Sequence, residues 1–222
     1  MIVANGKPLE EIIGVVKDHR KILVAGCNEC VTVCEVGGTK EVGILASALR
    51  LHFLNQGVEA QVGETTLQRQ CDREYVVGAR ETVEPYEIVI SIACGVGCQF
   101  MAEEYNKIPV VPGVDTSFMG GALERGVWSE RCQGCGTCLL AKTAGICPVS
   151  RCAKRVLNGP CGGSTKGKCE ISKDVDCAWQ LIVDRLNSLG RMEDYEVLTP
   201  IKDWSTDRAG GPRKRIKEEV AS

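Results

Sequence analysis

Lys21-Ile-Leu-Val-Ala-Gly-Cys27, continuing as Asn28-Glu-Cys30-Val-Thr-Val-Cys34, is the stretch on which the fold turns. Lys21 to Ala25 is a short apolar run, the mark of a strand buried on both faces. Before it, Leu9, Ile12, Ile13 and Val16 recur at helical spacing. Pro8 suits a first-turn position, so the pattern predicts a helix over Pro8 to Arg20. After it, Thr39 is a candidate N-cap for a helix to about Gln56, with Gly57 as its stop. Val58 to Val62 reads as a second strand and Leu67 to about Arg80 as a helix containing Cys71. Glu87 to Ala93 reads as a strong buried strand, Gln99 to Asn106 as a short helix and Ile108 to Val111 as a last strand. Strands alternating with helices predict an α/β fold, a doubly wound and mostly parallel sheet with helices on both faces.

This assignment puts Cys27 and Cys94 at the carboxyl ends of strands, the edge at which open α/β sheets bind ligands. Cys27, Cys30 and Cys34 lie on one loop, and Cys94 completes a candidate metal set from another. Cys71 and Cys98 stand in reserve; small buried apolar cysteines are the plain alternative for both. Gly37-Gly38-Thr39 before a helix invites a phosphate reading. The chain has no G-x-G-x-x-G after its first strand and no G-x4-G-K-[ST]. A turn that lets the cysteine loop fold back is the simpler account.

The second half is dominated by Cys132 to Cys177, which holds eight of the fourteen cysteines. Cys132-Gln-Gly-Cys135-Gly-Thr-Cys138 has the C-x2-C-x2-C spacing of a bacterial ferredoxin loop. Three thiolates so spaced wrap three corners of a cubane cluster under an arch of backbone N–H groups. Gly134 and Gly136 suit the arch. Cys147 precedes Pro148, as in the ferredoxin C-P signature, whose cysteine serves the other cluster in two-cluster ferredoxins. Cys152, Cys161, Cys169 and Cys177 remain, and spacing does not decide how the eight are shared between two clusters. Disulfides are disfavoured, for the chain is large enough for an ordinary core. Four-cysteine zinc is the stronger competitor, although the triple run favours iron–sulfur. Cys177 opens an amphipathic helix with Trp179, Ile182, Val183 and Leu186 on one face and Gly190 at its end.

The expected organisation is an α/β domain over 1–121 with its own cysteine metal site, a smaller ferredoxin-like cysteine-rich iron–sulfur module over 122–190, and a polar tail over 191–222. Ala122 to Arg131 reads as a linking helix, and the tail as a solvated end or an extended arm for a partner. A net charge of −2 and 5% aromatics argue against a nucleic-acid partner. No apolar run reaches the ~20 residues of a membrane span. MIVANGKPLEEI lacks a basic-then-apolar leader, so a cytoplasmic protein is expected. His19 and His52 fall away from the cysteine loops, and no catalytic triad or carboxylate pair stands out. The chemistry on offer is one-electron storage and transfer.

The run CQGCGTC…GICPVSRCAKRVLNGPCGG…GKCE…DCAW resembles the methylene-tetrahydrofolate reductase C-terminal family. AGCNECVTVCEVGGTKEVG and SIACGVGCQ resemble the first half of its MetV-type members, small subunits of acetogen-type reductases. The likeness extends from about Lys21 to about Leu189. It implies an electron-transfer subunit carrying two or three 4Fe-4S clusters, with zinc as an alternative occupant of the cysteine loops. It also implies a MetF-type barrel subunit that holds FMN and binds the folate, and a ferredoxin or heterodisulfide-reductase-like module as electron source. In the family the position of Cys98 is not always cysteine, which counts against a ligand role there. Two other functions stay open: a zinc-held scaffold, and a zinc-thiolate methyltransferase component.

Overall fold

The computed structural model describes residues 1–208 and 211–217. The chain forms two compact units, Met1–Ser129 and Glu130–Ser222. In order, the first comprises β1 (Ile2–Gly6), α1 (Leu9–Val16), β2 (Lys21–Cys27), α2 (Cys30–Val33), α3 (Thr39–Asn55), β3 (Gln61–Leu67), α4 (Arg73–Gly78), α5 (Arg80–Val83), β4 (Ile88–Ser91), α6 (Gly95–Glu104), β5 (Val110–Pro112) and β6 (Val114–Glu124). β7 (Val127–Cys132) carries the chain across the boundary. α7 (Pro148–Arg151), α8 (Ala178–Ser188) and α9 (Glu193–Glu196) follow.

The main sheet is parallel throughout, in the order β3-β2-β4-β5. Its central strands, β2 and β4, are buried on both faces, as their unbroken apolar runs require. Ile22 and Val24 of β2, with Ile88 and Ile90 of β4, pack on α1 and α3 through Ile12, Val16, Val42, Leu49 and Phe53. The alternate residues Leu23, Ala25 and Val89 pack on the other face against Val76, Val83, Met101 and Tyr105. The sheet is therefore doubly wound. The chain leaves β2 first for β3 on one side and then for β4 on the other, so the strand order reverses between β2 and β4. That switch point is where open α/β sheets form their crevice.

Several boundaries differ from the sequence reading. α1 ends at Val16, so His19 lies in the following turn. β3 begins at Gln61 rather than Val58, because its register with β2 runs from Lys21↔Gln61 to Cys27↔Leu67. The expected helix over Leu67 to Arg80 is replaced by the end of β3, a loop bearing Cys71, and two short helices. Asp72 caps the first of these by accepting a bond from the Glu74 N–H at 3.3 Å. Gly38, not Thr39, is the N-cap of α3, and its N–H is satisfied by the Glu41 carboxylate at 3.0 Å.

A second, antiparallel sheet, β1-β6-β7, was not foreseen. β1 pairs with β6 from Ile2↔Met119 to Gly6↔Val114, a contact of very long sequence range. The expected linking helix over Ala122 to Arg131 is instead a hairpin, turned at Arg125-Gly126 with Gly126 at φ +80°. Glycine takes that conformation without steric cost.

The second unit has a small core of Ala144, Trp179, Ile182 and Leu186, backed by Ile146, Val156 and Met192. Most of the rest is loop. Among the described residues no helix is long and apolar enough to cross a membrane.

Candidate metal centres

Three groups of cysteines need placing, and the first lies at the switch point. Cys27 ends β2 and Cys94 is the N-cap of α6, just beyond β4. Cys71 joins them. Burial raises its thiol pKa, and the neighbouring Cys94 and Cys27 raise it further. Gln70 sets this arrangement. It is fully buried, its Nε2 donates to the carbonyls of Ala25 (3.0 Å) and Gly26 (2.8 Å), and its Oε1 accepts from Ser91 Oγ (2.7 Å). One side chain thus ties the ends of β2 and β4 and fixes the backbone position of Cys71. Gly97 admits this packing, since a Cβ there would lie 2.7 Å from that of Gln70.

Of the expected set, Cys30 begins α2 and stands beside Cys34. Cys34 is buried, and its Sγ faces the Ile2 carbonyl of β1 at 3.6 Å. Its thiol pKa is raised, first by burial. Cys98 is buried in α6; burial raises its pKa against the opposing hydrogen bond of Ser91. Gly37 returns the cysteine loop to the sheet: its carbonyl accepts from the Cys27 N–H at 2.9 Å, and any Cβ would overlap the Ile92 carbonyl oxygen. No room is left there for a phosphate cradle.

Replacing Gln70 with leucine strands two carbonyls and a hydroxyl at a buried sheet edge. The expected cost is about 3 kcal/mol of unfolding free energy. Urea unfolding of the full chain should show it as a lower midpoint.

The other eight cysteines line two separate cavities. Cys132, Cys135, Cys138 and Cys147 line one of about 240 Å³, with Leu139, Leu140 and Val149. Cys152, Cys161, Cys169 and Cys177 line another of about 20 Å³, with Arg151, Lys154 and Trp179. The eight thus line the two spaces in chain order. Cys147 faces the same space as the triple that precedes it, unlike its counterpart in a two-cluster ferredoxin.

Local backbone explains each position. Gly134 (φ +61°), Gly136 (φ +64°) and Thr137 (φ +30°) bend the first loop through the left-handed region, and the Gly134 N–H points at Cys132 Sγ at 3.3 Å. Cys147 is the N-cap of α7. In the second set, Cys169 and Cys177 sit on two arms of a tight turn. The Cys177 N–H donates to the Gly167 carbonyl (2.8 Å), and the Cys169 N–H to that of Val175 (2.8 Å). Cys177 is also the N-cap of α8. Lys154 pairs with Glu170, whose hydrogen bond raises the lysine pKa, and it also reaches Cys161.

The donor chemistry of the first set fits a cubane: four thiols, apolar walls, and an N–H already turned to sulfur. As it stands, the second space admits a single ion of zinc's size. In neither set have the thiols closed to binding distance: among the described residues no three His, Cys, Asp or Glu side chains are grouped so as to hold an ion.

The tail departs most from expectation. Although most of its side chains stay exposed, Thr199 to Thr206 folds back on the first cysteine loop. Lys202, only 5% exposed, donates from Nζ to the carbonyls of Cys135 (3.3 Å), Gly136 (2.7 Å) and Thr137 (3.0 Å). Arg213 donates to the Gly134 carbonyl at 2.7 Å. No motif announced these contacts. In the basic run Arg208 to Arg215, Ala209 and Gly210 lie outside the described residues, as does the chain beyond Lys217.

Residues 111–205 match the family model described as methylene-tetrahydrofolate reductase C terminal. The matched segment contains both four-cysteine cavities and Lys202. No curated protein and no solved structure matches the chain.

Proposed function

We propose that this protein is the iron–sulfur electron-transfer subunit of a methylene-tetrahydrofolate reductase complex, relaying electrons to the FMN of a barrel-fold subunit that forms methyl-tetrahydrofolate. The observation that carries the reading is the pair of four-cysteine cavities within the segment related to that enzyme family. Cys132, Cys135, Cys138 and Cys147 would hold a 4Fe-4S cluster, and Cys152, Cys161, Cys169 and Cys177 a second metal group. Cys27, Cys71 and Cys94, with Cys30 nearest in the chain, form the candidate third site. When bound, such clusters supply one-electron storage and transfer.

The chain's own residues do the positioning. Gly134, at positive φ, aims its backbone N–H at Cys132 Sγ, and Leu139, Leu140 and Val149 give the first cavity apolar walls. The electron source would be a ferredoxin or a heterodisulfide-reductase-like module.

One observation favours a mixed occupancy. The second cavity is about the volume of one water-sized sphere, which suits zinc better than a cubane. A zinc-held scaffold extends that reading to all the cysteines. A thiol-activating zinc site would need only three protein ligands and an open position.

Iron, zinc and acid-labile sulfide per chain, measured on anaerobically purified protein with EPR after dithionite reduction, separate these readings. About eight to twelve irons with matching sulfide support two or three clusters. About four irons with one zinc support the mixed form. Zinc with no iron overturns the relay.

A further inference from the structure

Lys202 is the most unusual charge in the second unit. It is a lysine in a polar tail, yet its ammonium is buried. Among the described residues no carboxylate is ion-paired with it; the carboxylate of adjacent Asp203 is turned to the Ser205 N–H at 2.8 Å. Instead Nζ is held by three consecutive carbonyls of the Cys135–Thr137 turn, and lies 4.9 Å from the centroid of the Trp204 ring. With a longer contact to the Asp203 carbonyl at 3.5 Å, those carbonyls leave none of the ammonium's three donors unused, and the ring face adds a cation–π contact. Thr206 closes the arrangement. Its Oγ1 donates to the Cys135 carbonyl at 3.4 Å, and it lies so near Gly136 that any Cβ there would overlap it. A surface lysine would need none of this construction.

We propose that Lys202 is a positioning residue that raises the reduction potential of the cluster held by Cys132, Cys135, Cys138 and Cys147. The inference rests on the relay reading above. The Cys135 thiol donates to the Gly136 carbonyl at 3.6 Å, the same oxygen that Nζ binds at 2.7 Å, so the ammonium and this sulfur meet at one carbonyl of the loop. A buried positive charge is poorly screened and favours added negative charge close to it. Removing the charge removes that bias.

The test is a dithionite titration followed by EPR on the anaerobically purified full chain, with iron and sulfide measured on the same samples. Lys202→Met keeps the apolar stem, and Lys202→Gln keeps a donor without the charge. Both are expected to retain iron and to lower the midpoint. The equilibrium constant for reduction should fall at least tenfold, which is 59 mV for a one-electron couple. Lys202→Arg, which keeps the charge, should recover at least half of that shift. An unchanged midpoint in an iron-loaded neutral variant overturns the proposal. So does loss of iron in both neutral variants, which would make Lys202 a structural strut. Absence of iron from the wild-type chain sinks the relay reading itself, and is seen before any variant is compared.

Discussion

Serine at Cys132, Cys135 and Cys138 together is expected to remove about four irons and their sulfide per chain, and with them electron delivery to a flavin partner. The loss should exceed the roughly 10–100-fold that an outer-shell defect costs. The argument comes from the separation of the two cavities. Cys152, Cys161, Cys169 and Cys177 line their own space and borrow nothing from the first loop. The triple variant should therefore keep its second metal, and a Cys161→Ser variant should lose that metal while keeping the first cluster. Metal analysis of the two proteins side by side checks the sharing directly. If instead each variant loses half of both metals, the cysteines are interleaved as in a two-cluster ferredoxin. Reduction of an artificial dye by the isolated barrel subunit should continue in every case. Full physiological activity in the triple variant would contradict the relay.

Replacing Trp179 with alanine is the second large effect, and it acts on stability. The ring is 6% exposed and is the largest side chain in a core of four buried residues. Its indole N–H donates to the Val156 carbonyl at 2.8 Å, joining α8 to the loop that follows Cys152. Trp179 also lines the second thiol cavity. Truncation is expected to cost about 3–5 kcal/mol. A unit this poor in buried apolar surface has little reserve, so it should lose its fold with its metal. Trp179→Phe keeps most of the packing but strands the Val156 carbonyl, and should cost about 1–3 kcal/mol. Urea titration followed by circular dichroism, with zinc and iron counted at each step, distinguishes the two. Metal release at a lower urea concentration than the loss of helix signal would show that the ring serves the site before it serves the fold.

The centre of the parallel sheet was legible because β2 and β4 are buried on both faces. Ile22 to Val24 and Ile88 to Ile90 need no pattern beyond unbroken apolarity. Cys27 and Cys94 were legible for the same reason, since each follows the end of such a run. β3 was misplaced because Val58 to Val62 is the more apolar stretch, whereas pairing with β2 selects Gln61 to Leu67. That shift put Cys71 on a supposed helix and hid its approach to Cys27 and Cys94. β1 was missed because the strand it pairs with, β6, lies more than a hundred residues away. Leu123, Glu124 and Trp128 carry no spacing that tells a hairpin from a short helix. The sharing of the eight cysteines is a property of loops folded in three dimensions and leaves no trace in C-x2-C counts. Lys202 had no signal at all: a single lysine in a polar segment looks solvated until the three carbonyls that bind it are in place.

The direction of synthesis gives the Lys202 contact a timetable. Lys202 comes 66 residues after Gly136. At 5–20 residues per second, the cysteine loop leaves the ribosome roughly 3–13 s ahead of its cation. During that interval the carbonyl side of the loop is open. Arrival of Lys202, Thr206 and Arg213 then covers the same backbone. The loop is thus exposed first and latched afterwards.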